Sequence, residues 1–147
     1  MLRVIRAARE GDLHELLELY LDLHEDTVTE DSEYLSGTWE RMLGDPHHHV
    51  IVNEIGGEIA SSCICVIIPN LTRGARPYAL VENVVTRADL RGSGYASACL
   101  ARARELALEA GCYKMMLLTG AKDERTLRFY ESAGFNREDK TAFIQWL

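Results

Sequence analysis

Hydrophobic and polar residues follow regular spacings along most of the chain, and these spacings predict the order of its elements. Loose alternation over residues 2–8 predicts a first strand. Apolar side chains recur at helical spacing from Leu13 to Leu23 and predict a first helix, and residues 36–43 predict a second. The acidic segment 24–35 between them has no periodicity, which predicts a loop or a further short helix.

Strand patterns dominate the middle of the chain. Residues 49–55 and 58–68 are rich in β-branched side chains, and Gly56-Gly57 between them predicts a β-hairpin with a two-residue turn. The loop 71–77 then leads into residues 78–86, which are rich in Val and almost free of charge. This last run predicts a strand that is buried on both faces of its sheet.

The remaining pattern predicts a long helix from Ser93, a strand over residues 112–119, a short helix after Asp123, and closing strands at Phe135 and over residues 140–147. Two helix starts carry capping signals: Asp12 with Glu15 three residues later, and Asp123 with Thr126. The order is therefore β, α, α, three strands with hairpin links, then α, β, α, β. It predicts an α/β (α+β) fold, a mixed sheet with helices on both faces, in a single domain over residues 1–147.

Composition and charge favour a globular protein and argue against a membrane-spanning or broadly nucleic-acid-binding one. Hydrophobic residues make up 47% of the chain, as in a globular domain, and no run of 18 apolar residues would span a membrane. The first residues, MLRVIRAAREGD, lack the apolar core of a signal peptide, so we expect a cytoplasmic protein. The net charge of −7 argues against a broad nucleic-acid-binding surface, although a local basic site remains compatible with it.

Cysteine and histidine residues do not predict a metal site. Cys63, Cys65, Cys99 and Cys112 have no C-x-x-C spacing and lie in apolar segments, which is typical of buried thiols in a reducing compartment. The three histidines at 47–49 stand where a strand begins, and successive side chains of a strand point to opposite faces. We interpret them as a solvated strand end.

A glycine-bearing turn precedes the long helix: Arg91-Gly92-Ser93-Gly94. Glycine lets the backbone come close to a ligand, and the helix that follows begins with unpaired N–H groups, so this turn is a candidate phosphate or pyrophosphate site with Arg91 at its edge. An ordinary capped turn is the alternative. A P-loop is excluded because no Lys follows the glycines, and a dinucleotide-binding G-x-G-x-x-G is excluded because Ser97 occupies the third position.

Three motifs resemble one family. Residues 91–96 fit R/Q-x-x-G-x-G/A, the pyrophosphate-binding turn of the GNAT superfamily of acyl-CoA-dependent N-acyltransferases, and residues 129–135, FYESAGF, resemble the F-Y-E-x-x-G-F ending of many members. The run VENVV over 81–85 is similar to the central strand of glucosamine-6-phosphate acetyltransferases. The resemblance covers nearly the whole chain and implies a sheet that splays at the cofactor site, between residues 83–86 and 113–119.

The resemblance also implies a set of acetyl-CoA contacts, in which the opened strand pairs with the pantetheine arm and the turn binds the pyrophosphate. These residues are Asn83, Val84, Val85, Thr86, Arg91, Gly92, Ser93, Gly94, Tyr95, Ala96, Asp123 and Tyr130. At Asp123 the chain departs from the family, which often has Asn there. No metal is implied.

Glu82 and Tyr130 are the candidate catalytic residues. A carboxylate inside an apolar strand is costly unless it is paired, and burial would raise the pKa of Glu82 toward the range of a general base; a Glu bonded to a loop or an Arg is the alternative. The resemblance implies that the Tyr130 phenol assists the departing CoA thiolate; a half-buried helix aromatic is the alternative. The implied reaction is direct attack by an amine, without a covalent enzyme intermediate, with a backbone N–H stabilising the oxyanion.

The acceptor is left open by the sequence. Arg73 and Arg76 in the loop 71–77 are candidate substrate-binding residues for a small amine with a carboxylate or phosphate, and a solubilising hairpin tip is the alternative. The acidic residues of 24–33 would instead suit a protein acceptor, and a non-catalytic acyl-CoA-binding module is a further alternative. The apolar run TAFIQWL, with Trp146, is compatible with a homodimer interface or with a core strand.

Overall fold

The computed structural model describes residues 1–147 and contains one five-stranded sheet in the order β1-β2-β3-β4-β5. The strands are β1 (Arg3–Ala7), β2 (His48–Ile55), β3 (Glu58–Ile68), β4 (Tyr78–Thr86) and β5 (Met115–Leu117). The helices are α1 (Leu13–Leu19), α2 (Glu33–Gly44), the single turn α3 (Thr72–Ala75), α4 (Tyr95–Glu109) and α5 (Glu124–Ser132), with 3₁₀ turns at Glu10–Asp12, Tyr20–Asp22 and Ala88–Leu90.

The sheet is mixed, as the element order predicts. Strands β1 to β4 pair antiparallel with their neighbours, and β4 pairs parallel with β5 through the α4 crossover. The hairpin between β2 and β3 turns at Gly56 and Gly57, which have φ values of 60° and 85°. Both angles are left-handed, which is why this turn requires two glycines.

Two hydrophobic clusters cover the two faces of the sheet. On one face, Leu100, Ala103 and Ala107 of α4 pack against the strands, and Phe129 and Tyr130 of α5 pack against the same cluster. On the other face, helices α1 and α2 contribute Leu16, Leu19 and Trp39 to the second cluster. The prediction of helices on both faces is therefore confirmed.

The start of the first helix differs from its predicted capping box. The Asp12 carboxylate accepts hydrogen bonds from the Arg9 backbone N–H at 2.7 Å and from Arg6 Nη1 at 2.7 Å. It therefore caps the preceding 3₁₀ turn and pairs with Arg6 of β1, and it makes no capping hydrogen bond to α1. Glu15 accepts a hydrogen bond from the Ile59 backbone N–H and so joins α1 to β3. The capping prediction at Asp123 is confirmed, since its carboxylate accepts from Thr126 N at 3.0 Å.

The C-terminal part of the sheet is smaller than predicted. Strand β5 covers only Met115–Leu117, against the predicted 112–119. The predicted closing strands at Phe135 and over 140–147 do not form, and residues 136–147 make no backbone–backbone hydrogen bond. Their β-propensity is not enough, because a strand exists only where a neighbour supplies the ladder.

All four cysteines are buried and none forms a disulfide, as the sequence predicts. The histidine run begins β2 at His48, one residue before the predicted start. No helix combines the length and the apolar character needed to cross a membrane.

Candidate active site

Strand β4 contains a bulge at Asn83. In the register between β3 and β4, Ser62 faces Val85 and Ile64 faces Glu82, so Asn83 and Val84 together face one residue, Cys63. The backbone φ of Asn83 is 51°, in the left-handed region that Asn adopts more readily than most residues. Bulges re-aim strand residues and interrupt pairing, and both effects occur at this position.

Pairing between β4 and β5 ends where the bulge begins. The parallel register runs from Ala79 opposite Met115 to Val81 opposite Leu117 and goes no further. The second half of β4, residues 82–86, is therefore unpaired along the edge that faces β5. Its backbone N–H and C=O groups on that edge are free to bind an extended ligand.

A cleft occupies the opening between the two strands and brings distant parts of the chain together. The residues that line it are Leu23, His24, Val81, Glu82, Asn83, Val84, Leu117, Leu118, Thr119, Gly120 and Tyr130. Both candidate catalytic residues are among them, as are two of the predicted cofactor contacts on β4. The cleft also contains His24, which the sequence pattern placed in the acidic loop.

The expectation that Glu82 is buried is wrong. The side chain is exposed, although β4 lies inside the sheet, because the opening beside β5 leaves this position uncovered. The carboxylate faces the cleft and the solvent that fills it.

The Tyr130 phenol is neutral and can donate a hydrogen bond. Burial raises the pKa of its phenol above the ordinary value, and nearby Cys63 adds to the shift. Phe129 and Phe135 meet its ring edge to face, with centroids 5.0 and 6.2 Å away. These contacts hold the ring in the wall of the cleft, where the neutral phenol can give a proton at neutral pH.

A second tyrosine, Tyr20, contacts the bulge. It stands at the end of α1, beside Asn83; burial raises the pKa of its phenol, and the neighbouring Asn83 side chain acts in the opposite direction. The sequence pattern placed Tyr20 in the apolar stripe of α1. The pattern contains no signal for this contact, because the partner is 63 positions further along the chain and its conformation depends on the bulge.

The glycine turn has the geometry of an open anion site. Gly92 and Gly94 both have a φ of 81°, and no heavy atom lies within 4 Å of a Cβ added at either position. Glycine is therefore required for conformation and not for space. Gly94 occupies the N-cap of α4, and no side chain caps the helix. The first N–H groups of α4 are thus available, which disfavours the alternative of an ordinary capped turn.

The turn is joined to the cleft by the loop after α1. Arg91 Nη2 donates to the carbonyl oxygen of Asp22 at 2.6 Å, and the Ala88 backbone N–H donates to the Asp22 carboxylate at 3.1 Å. The next two residues of this loop, Leu23 and His24, line the cleft. The segment 22–24 therefore contacts the glycine turn at one end and lines the cleft at the other.

The cleft does not include the side chains of Arg73, Arg76 and Asp123, which the sequence predicted to bind substrate or cofactor. Arg76 donates to the carbonyl oxygens of Gly111 and Cys112 at 3.2 and 3.1 Å, beyond the C-terminus of α4. Arg73 lies 5.5 Å from the centre of the Tyr113 ring. The Asp123 carboxylate is engaged at the N-terminus of α5. The structure does not bring these three residues to Glu82 and Tyr130.

Comparison with known proteins gives consistent matches. The sequence profile described as "Acetyltransferase (GNAT) family" matches residues 13–135. A glucosamine 6-phosphate N-acetyltransferase of Trypanosoma brucei brucei is 30% identical over 136 residues, 92% of this chain and 90% of that protein. A thialysine N-epsilon-acetyltransferase of Bos taurus is 27% identical, over 97% of this chain and 88% of that protein.

A solved structure from Agrobacterium tumefaciens str. C58, of a protein assigned to the acetyltransferases, superimposes with a TM-score of 0.89. Its sequence is 40% identical, and the match covers 97% of this chain and 99% of that one. The agreement therefore extends over the whole sheet and both helical layers.

Proposed function

Because the chain belongs to the acetyltransferase (GNAT) family, whose members use acetyl-CoA, we propose that it moves an acetyl group from acetyl-CoA to the primary amine of a small molecule. The family and the named acetyltransferases among its relatives make it an acyltransferase. The acetyl donor, the acceptor and the mechanism are the parts that we propose.

One observation carries the proposal: the free edge of β4 begins beside the bulge and runs toward the open glycine turn. A pantetheine arm has amide groups that pair with such an edge, from Asn83 to Thr86. The pyrophosphate would then meet the N–H groups of residues 91–96, where the backbone and the helix dipole favour an anion. Recognition of this kind depends on backbone conformation, which explains the two left-handed glycines.

The cleft side chains supply the chemistry of the transfer. Glu82, through water, would take a proton from the ammonium form of the acceptor, because only the neutral amine attacks a thioester. A backbone N–H at the bulge would stabilise the oxyanion of the tetrahedral intermediate. As that intermediate collapses, the C–S bond breaks and the Tyr130 phenol gives its proton to the CoA thiolate, while the nitrogen of the new amide loses its extra proton, through water, to the tyrosinate. The acetyl group never becomes bonded to the enzyme.

Two relatives suggest which acceptors to test. Their names point to amines of low molecular weight, glucosamine 6-phosphate and thialysine. The cleft also fits a small acceptor, because it is bounded closely by β4, β5, α5 and the loop at Leu23. A protein acceptor bound along the acidic residues of 24–33 is the alternative.

Calorimetric titration with acetyl-CoA tests the donor site. We expect wild-type protein to bind and Gly94→Glu to lose binding. The new carboxylate would repel the pyrophosphate, and a residue with a Cβ is strained at the Gly94 φ of 81°. Gly111→Glu is the matched control: Gly111 has a φ of 78° and open space around it, but it follows the other end of α4. Binding lost equally in both variants, or absent from folded wild type, would contradict the proposed site.

Release of CoA thiol then tests the reaction. We expect turnover with glucosamine 6-phosphate, thialysine or a related small amine, and a lower kcat in Glu82→Gln. Turnover with amine-bearing peptides alone would establish the protein acceptor instead. Binding of acetyl-CoA without turnover of any amine in a broad screen would argue against catalytic roles for Glu82 and Tyr130.

The C-terminal segment leads us to propose a homodimer. Phe143 and Trp146 are 90% and 87% exposed, and their segment has no backbone partner in its own chain. Strand β5 has a neighbour on one side only. A second copy of the chain could cover both surfaces. In sedimentation experiments we expect the wild type to be a dimer and the double variant Phe143→Ser/Trp146→Ser to be a monomer.

A location in the cytoplasm stays a prediction from the sequence.

A further inference from the structure

One buried polar side chain is bonded to a helix and not to the sheet. Three polar residues are buried in the sheet: Asn53, Ser61 and Ser62. The two serine hydroxyls donate to the strand carbonyls of Val85 and Ile51, both at 2.7 Å. Asn53 of β2 instead donates from Nδ2 to the carbonyl oxygen of Tyr95 at 3.1 Å.

Tyr95 is the first residue of α4, directly after the glycine turn, and it is held from a second side as well. Its ring is buried, and the Arg3 guanidinium of β1 lies 4.3 Å from the ring centre. Arg3 Nη1 also donates to the carbonyl oxygen of Ser93, at 3.4 Å. Side chains from two neighbouring strands, β1 and β2, therefore contact the turn and the first residue of the helix.

The bond from Asn53 is not explained by stability. Asn53 is completely buried, and its Oδ1 has no hydrogen-bond partner. A buried amide with an unpaired acceptor is costly, and an apolar side chain of similar shape would avoid the cost. The two residues before it in β2, Ile51 and Val52, are buried and apolar.

We propose that Asn53 is a positioning residue for the pyrophosphate-binding turn, and that it acts by holding Tyr95 while Arg3 holds the ring and Ser93. This inference rests on the proposed function. The turn binds through backbone N–H groups, so their position relative to the open edge of β4 determines how well a ligand reaches both. Gly92 and Gly94 allow the backbone of the turn many conformations. The contacts from Arg3 of β1 and Asn53 of β2 restrict it to one.

Three variants separate positioning from folding. Asn53→Leu keeps the branched shape and removes the hydrogen bond. Arg3→Met acts at an exposed position and changes no buried side chain. Ser62→Ala is the matched control, because Ser62 is also completely buried and hydrogen-bonded, but its hydroxyl donates to β2 and not to α4.

Each variant would be examined by thermal denaturation, by hydrogen exchange at the backbone amides of residues 95–99 and 103–109, and by titration with CoA. We expect Asn53→Leu to be at least as stable as wild type, to exchange faster at 95–99 only, and to bind CoA roughly tenfold more weakly, which is the effect of one hydrogen bond. Arg3→Met should weaken binding about threefold. Ser62→Ala should lose stability and keep its affinity for CoA.

Unchanged exchange at 95–99 in Asn53→Leu, or unchanged affinity for CoA, would overturn the inference. A wild type that does not bind CoA would overturn the proposed function. The exchange measurement needs no cofactor, so it would then still decide whether Asn53 holds the turn.

Discussion

Val81 and Val85 lie in the same strand, but their side chains pack against opposite faces of the sheet. Val81 belongs to the cluster under α4, and Val85 belongs to the cluster under α1 and α2. Four positions apart, they would share a face in a regular strand. The bulge at Asn83 reverses the alternation between them and opens the cleft at the point of reversal.

The bulge is the first target for mutation. Asn83→Ala should lose about 1–2 kcal/mol of stability, because a Cβ-bearing residue other than Asn is strained at a φ of 51°. Asn83→Gly should retain most of the stability. Tyr20→Phe should lower kcat, because it removes the hydroxyl group beside the Asn83 side chain. Urea denaturation and steady-state kinetics would check these effects. Equal stability of the Ala and Gly variants would contradict the account of the bulge.

Tyr130→Phe should lower kcat by about 10²-fold, the usual effect of losing a general acid. KM for acetyl-CoA should change little, since the Phe ring keeps the packing against Phe129 and Phe135. Burial raises the pKa of Tyr130, so the phenol stays protonated to a higher pH than an exposed tyrosine does. Any loss of rate on its deprotonation should therefore begin above the ordinary range of a tyrosine and be absent from the variant. An unchanged kcat would remove the acid role.

Arg76→Ala distinguishes the structural role of this residue from the predicted role in substrate binding. The two hydrogen bonds to Gly111 and Cys112 predict a loss of about 1 kcal/mol in stability with no change in KM for the acceptor. Arg73→Ala, which loses only the contact with the Tyr113 ring, is the comparison. A raised KM for a phosphorylated amine at unchanged stability would restore the prediction made from the sequence.

His49 should make stability depend on pH. Burial lowers its pKa below 6.5, and nearby Arg102 lowers it further. The unfolded chain therefore binds a proton more readily, so the stability contributed by neutral His49 is complete above pH 6.5 and is lost as the pH falls below that value. His49→Asn should flatten this part of the stability curve, and Arg102→Gln should reduce it less. The same slope in wild type and His49→Asn would assign it to another group.

The layers of the fold and the ends of most elements follow from the pattern of apolar residues along the chain. Strands β3 and β4 have the bounds that their apolar runs predict, and the helix after the glycine turn begins within two residues of its predicted start. Periodicity succeeds here because burial on one face repeats along an element. The glycines at 92 and 94 could be interpreted for a similar reason, since their conformation is local.

Which side chains share the candidate site depends on contacts between distant segments, and the sequence pattern did not predict it. The bulge at Asn83 follows from pairing with β3, and it exposes Glu82 in a strand whose composition predicted burial. Tyr20, Asn53 and Arg3 reach the site from segments where each fits an ordinary core or surface pattern. The C-terminal run 140–147 has the composition of a strand but no neighbour in its own chain. Contacts between distant segments depend on register and crossover geometry, which a spacing pattern within one segment does not encode.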